Sequence, residues 1–383
     1  MSTNQIPRRA AGASPIDPPF RADHVGSLLR PKTLLELRYA RPEDRPKPEA
    51  LRAIEDDAIR AAVALQESVG LRSITDGEFR RESWRSGFVA KVEGFERRKQ
   101  RTALGTARDE SGQTSLLGDP PYAARPLRRR QDIVTDDFIF LRAVTKQTPK
   151  VTMPAPSYMH FFLGDESFSR SAYPDRGAYF DALVDIYADE LASLAAAGCR
   201  YVQLDEVVLP ALCDPNIRTS VKARGDAPEE LVDTYVGLVN RIVARRPAGM
   251  MIAMHLCRGN SMGRWVAEGG YEFIAEKAFA GTAVDALFLE YDTPRAGTFA
   301  PLAHVAPDKT VVLGLVSTKT GELEPADLLK RRIDEAARYV PLDRLCLSPQ
   351  CGFASRDKGN PITPDDQKRK LERVVTVARD VWA

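Results

Sequence analysis

The chain has 383 residues, 43% hydrophobic and 28% charged, with 55 basic against 53 acidic side chains and a net charge of +2. That composition excludes a disordered chain and a small disulfide scaffold, and the near-balanced charge excludes a dedicated nucleic-acid binder. No apolar run reaches the length of about eighteen residues that a membrane helix needs, and five scattered cysteines, an odd number, fit a reducing, cytoplasmic setting.

Residues 1–19 are rich in Pro, Ala, Ser and Arg, have no apolar signal-peptide segment, and read as a flexible tail. Eight short apolar runs follow in chain order: 20–29, 71–79, 150–157, 200–209, 250–257, 284–292, 310–318 and 344–352. Short runs rich in Val, Ile and Leu suit strands buried on both faces of a parallel sheet. Longer amphipathic segments lie between them, at 48–70, 176–198, 228–246, 325–340 and 364–382. The first two end in Gly70 and Gly198, and the last three carry proline in the first turn, where its missing N–H costs nothing. The alternation predicts an α/β fold, a (β/α)8 TIM barrel over residues 20–383.

Residues 84–135 interrupt the repeat. Residues 80–130 hold 13 Lys/Arg against 6 Asp/Glu, with a Gly/Ser/Asp/Pro-rich centre. They read as a hairpin-like insertion after the second strand: a solvated protrusion, a contact between subunits of a homo-oligomer, or a lid carrying arginines. Aromatic residues are too sparse there to suggest nucleic-acid binding.

Polar or small residues gather where the runs end, and in a barrel those ends build the active site. Within MHLC, His255 and Cys257 are two apart on a strand and so aim an imidazole and a thiol at one point. Glu290 in LEYD and Cys351 in SPQC occupy the corresponding places later in the repeat. Together they offer the donor set of a tetrahedral Zn²⁺. Cys199, Cys213 and Cys346 read as core fillers and His304 as a surface residue, while His24 and His160 lie near polar strand ends and are candidates to face the pocket.

HLC, LEYD and SPQCGF, together with HVGS at 24–27 and VQLDE at 202–206, resemble the catalytic domain of cobalamin-independent methionine synthase, over roughly residues 20–380. The resemblance implies a zinc held by His255, Cys257, Glu290 and Cys351 that binds a substrate thiol as thiolate. It implies that Val25, Gly26 and Ser27 receive the carboxylate of homocysteine and that Glu78 and Asp205 receive its amino group. The expected activity is zinc-dependent S-methylation of homocysteine to methionine, like that of a 5-methyltetrahydropteroyltriglutamate–homocysteine methyltransferase, with no nucleic-acid or membrane partner.

Two departures leave the alkyl donor open. VVLPALCD follows the LDE segment, where the family carries an acidic group toward folate. Ser317, Thr318 and Lys319 stand where the family has a histidine, which makes Lys319 a candidate catalytic cation or proton source. Thiol addition to an epoxide, as in coenzyme M transferases, or C–S cleavage remains an alternative, with Arg30, Arg80 or Arg258 taking an anionic group. A metal-free decarboxylase-like barrel is a second alternative, and a purely structural zinc a third.

Overall fold

The computed structural model describes residues 18–98, 104 and 106–382. The tail expected at 1–19 lies outside the described residues except for its last two positions. Twelve strands, taken in chain order, suffice to locate the site. β1 is Ser73–Ile74, β2 Val92–Arg97, β3 Thr106–Arg108, β4 Thr114–Leu116, β5 Pro121–Arg129 and β6 Thr148–Pro149. β7 is Val151–Pro154, β8 Tyr201–Glu206, β9 Met251–Leu256, β10 Ala286–Glu290, β11 Thr310–Val316 and β12 Leu345–Pro349.

β7 to β12 form one parallel sheet in sequence order. β1 pairs in parallel with β6, and Lys150 N donates to Ile74 O at 2.8 Å, which carries the ring on from β7. The segment around Ala22 closes it. Asp23 N donates to Leu347 O and Leu347 N to Arg21 O on one side, and Leu28 N donates to Gly77 O on the other. The eight predicted runs therefore occupy the eight places of a TIM barrel.

The first two places are less regular than the sequence suggests. Only Ser73–Ile74 of the second run is a strand, and the first run makes a single bridge at Ala22. The reason is a buried polar knot. Asp23 accepts from His24 N, Ser73 Oγ, Tyr201 Oη and Lys150 Nζ, so its carboxylate replaces part of the usual backbone ladder.

The interior is filled by alternate residues of the strands. Tyr201, Met251, Ala253, Ala286, Phe288, Val312 and Cys346 form one buried cluster inside the ring. A larger cluster packs the other strand face against the helices. Helices stand at 48–68, 176–196, 228–243, 326–336 and 364–382, close to the predicted segments. Gly70 ends the first with φ 92°, a conformation that lets Leu71 N reach back to Gln66 O.

The insertion is mostly exposed over 110–119 but is tied back to the barrel by distant contacts. β2 pairs antiparallel with β5, and β3 with β4. The β3–β4 hairpin crosses to the loop after β9, where Arg108 and Trp265 exchange both backbone hydrogen bonds, at 2.7 and 2.9 Å. Arg108 also meets Asp214 and Glu268, and Arg264 meets Asp109. Its return is pinned by the fully buried Glu190, which accepts from the N–H groups of Ile133, Val134 and Thr135 and pairs with Arg129.

Candidate functional site

β9 carries His255 on its inward side, level with Asp205 of β8 and Phe288 of β10. Cys257 follows one residue past the strand end, one layer nearer the mouth. Cys351 arrives from the loop after β12, and its sulfur lies 3.9 Å from that of Cys257. The ligand atoms of His255, Cys257 and Cys351 all lie within 4.8 Å of one another, and all three side chains are buried.

Two sulfurs this close compete for one proton. The hydrogen bond with Cys257 draws the Cys351 thiol down to about 6 against the opposing effect of burial, helped by the His255 charge, Ser355 Oγ and the Lys319 ammonium. The same hydrogen bond and burial push Cys257 well above its usual value. Burial disfavours the His255 imidazolium, but the hydrogen bond to Asp205 and the charge on Cys351 outweigh it and raise the ring. One imidazole beside two sulfurs, one of them held below the usual thiol range, is a donor set that fits zinc.

Glu290 ends β10, fully buried, outside the group that lies within 4.8 Å. Its Oε2 accepts from Arg258 N at 2.5 Å, and its Oε1 faces Lys319 Nζ at 3.2 Å and Arg295 Nη2 at 3.4 Å. Burial would raise this carboxyl, but Lys319, Arg258 and Arg295 together hold it down at about 2. Lys319 is shared with Asp292 Oδ2, also at 3.2 Å, and the two acids raise its ammonium despite burial.

Val25, Ser27, Glu78 and Asp205 line the same cleft as His255, Cys257 and Cys351, a mouth of about 870 Å³ open to solvent. Gly26 lies behind them with φ 149°, and a Cβ there would come within 2.9 Å of Thr152 Cγ2 and 3.3 Å of Glu78 Oε1. No side chain fits between the backbone and the acid. Ser27 is locked to the segment after Cys351, since Phe353 N donates to its carbonyl and Ala354 N to its hydroxyl. Glu78 holds a left-handed backbone at φ 63°, unusual for a residue with a side chain. Arg81 grips its carboxylate at 2.8 and 3.2 Å, and Thr152 Oγ1 adds a third contact at 2.9 Å, so this acid is already charge-paired.

The opposite wall is apolar and aromatic. Trp84 meets Tyr158 edge-on at 4.9 Å, and Phe161, Phe162, Val207, Ala211 and Val266 continue the wall. Leu117 reaches it from the insertion, its carbonyl held by Arg85 at 3.0 Å and Arg356 at 3.2 Å. Arg85 and Arg356 are thus the mouth arginines.

The arginines chosen from sequence are committed elsewhere. Arg30 donates to Glu78 O, Arg81 O and Ala354 O. Arg80 pairs with Asp56 and Asp137. Arg258 lies over the Tyr271 ring against Glu290. His24 and His160 do not face the cleft either, bonding respectively to Ser73 O and to Tyr235 and Asp165. Arg85 and Arg356 were illegible because they sit in irregular segments with no strand end to flag them.

The family description "Cobalamin-independent synthase, Catalytic domain" matches residues 23–379. Among curated relatives, the uncharacterized protein YxjG of Bacillus subtilis (strain 168) is 39% identical over 387 residues, covering 100% of both chains. The methionine synthase of Pyrococcus abyssi is 24% identical over 335 residues, 87% of this chain and 86% of that protein. A solved Listeria monocytogenes structure superposes with TM-score 0.73 at 34% identity, covering 95% of this chain and 98% of that one.

Proposed function

The chain belongs to the cobalamin-independent synthase catalytic-domain family, and from that premise we propose that it is a zinc-dependent methyltransferase that methylates the sulfur of homocysteine to give methionine. The observation that carries the reading is the convergence of His255, Cys257 and Cys351 within 4.8 Å at a mouth also lined by Ser27, Glu78 and Asp205. In relatives named methionine synthase the same domain recurs over most of the chain. The family match favours methyl transfer over the decarboxylase reading.

His255, Cys257 and Cys351 would hold the metal, with Glu290 as the fourth member of the set. A bound zinc supplies a Lewis acid on which a thiol ionises at neutral pH. The protein's own groups do the placing. Ser27 and the backbone at Gly26 receive the carboxylate. Asp205 receives the ammonium, with Glu78 nearby but partly neutralised by Arg81. Lys319, Arg258 and Arg295 keep Glu290 ionised, so the carboxylate has counter-charges whether or not it ligates. The aromatic wall of Trp84, Tyr158 and Phe162 offers an apolar seat for the alkyl donor beside the sulfurs.

Purified wild-type protein, prepared without chelator, is expected to carry about one zinc per chain by elemental analysis and to methylate homocysteine when thiols are crossed with methyl donors and epoxides and read by mass spectrometry. Cys257→Ser is expected to lose both metal and turnover. Retention of both by the variant, or a wild type that binds no zinc, rejects the proposal; turnover only with epoxides moves the reading to thiol addition.

A further inference from the structure

The inward face of β8 is a column of polar residues two apart: Tyr201, Gln203 and Asp205. Tyr201 Oη donates to Asp23, and Asp205 stands at the mouth. Gln203 lies between them, fully buried, and every polar atom of its side chain is engaged. Its Oε1 accepts from Lys150 Nζ at 3.1 Å. Its Nε2 donates to Asp205 Oδ1 at 2.7 Å and to Val25 O at 2.9 Å.

This geometry fixes which way the amide points. An ammonium has only protons to offer, so Lys150 requires the amide oxygen on its side. Lys150 is itself held by Asp23 Oδ1 at 3.1 Å and by the His24 carbonyl. The amide NH₂ group is thereby turned toward the mouth, with one proton for Val25 and one for Asp205. Asp205 Oδ1 then lies between two partners, Gln203 and His255 Nδ1 at 3.2 Å, which leaves Oδ2 as the oxygen for an incoming ammonium.

We infer that Gln203, oriented by the buried Asp23–Lys150 pair, is the positioning residue of the amino-acid subsite: it ties the acid that receives the substrate ammonium to the 25–27 segment that receives its carboxylate. The inference rests on the homocysteine pocket proposed above. Gln203 touches no substrate and reacts with nothing. It sets the spacing between Asp205 and the 25–27 segment, whose Gly26 backbone and Ser27 form the other end of the seat for an α-amino acid.

The test uses zinc-loaded full-length protein and two thiols that differ in one group. Homocysteine carries the ammonium; 4-mercaptobutyrate keeps the thiol and carboxylate and lacks it. Binding is measured by calorimetry on wild type, Gln203→Met, which keeps length and loses both donors, and Gln203→Glu, which keeps an acceptor for Lys150. In each variant the Kd for homocysteine is expected to rise tenfold or more, while that for 4-mercaptobutyrate changes less than threefold and zinc stoichiometry stays that of wild type. Equal effects on both thiols, or none on homocysteine, overturn the role. So does failure of both variants to fold with bound zinc, since Gln203 would then be a structural residue. A wild type that binds the two thiols alike sinks the amino-acid pocket itself, a different failure from a discriminating wild type whose variants discriminate equally.

Discussion

Lys319 faces two carboxylates, Glu290 and Asp292, from a position with almost no access to water. Removing a charge from such a group costs more than the lost contacts, because the acids stay behind without their counter-ion. Lys319→Met is therefore expected to destabilise the fold by about 3 kcal/mol, measured by chemical denaturation, and to let burial raise the Glu290 carboxyl from its value of about 2. An unchanged denaturation midpoint would show that the three groups do not depend on one another. The same environment explains why the residue was ambiguous in sequence. A lysine in STKTGELE has the ordinary appearance of a loop cation, and only the fold shows that it is buried against the end of β10.

At the scale of elements, what was legible followed from periodicity. MHLC and VQLDE place polar groups two apart at the ends of apolar runs, and the structure puts His255 and Asp205 in one layer and Cys257 one step above. The later strands, β8 to β12, are buried except at Thr310, the first residue of β11, and fall within the predicted runs. The insertion was less legible, because its charge excess suggested a solvated surface while its actual partners are distant in sequence. Arg108 is held by Asp214 and Glu268, and no local pattern announces a contact across 160 positions. Arg108→Ala should loosen the hairpin without unfolding the barrel. Proteolysis within 104–117 is expected to speed up at least fivefold, with the main thermal transition shifted by only a few degrees. A cleavage rate equal to that of the wild type would mean that the backbone hydrogen bonds to Trp265 and the Arg264–Asp109 pair hold the hairpin without the Arg108 side chain.

For the molecule as a whole, the closing seam of the ring holds an acid-sensitive group. His24 is buried beside Lys150, and desolvation first, then the Lys150 charge, lowers it to about 4 from 6.5 against the opposing pull of Asp23. The folded chain thus refuses a proton that the unfolded chain accepts. The resulting stability is present in full above pH 6.5 and is lost as pH falls toward 4, a change on the order of 3 kcal/mol. Thermal unfolding followed from pH 7.5 to 4.5 is expected to show this loss, and His24→Gln, which cannot titrate, is expected to show a smaller one. Identical pH profiles for the two proteins would place the acid sensitivity elsewhere.

The crossing of the β3–β4 hairpin to the far side of the mouth also bears on how the polypeptide is made. Synthesis delivers the hairpin long before Trp265 and Glu268, the residues on which it rests, have left the ribosome. The contacts of the hairpin to Trp265 and Glu268 therefore form only after the loop that follows β9 has been made, long after the hairpin itself. A truncated or stalled product that stops before the loop after β9 keeps the Arg108–Asp214 pair but lacks the Trp265 and Glu268 contacts, so the full set of contacts reports that this loop has been made.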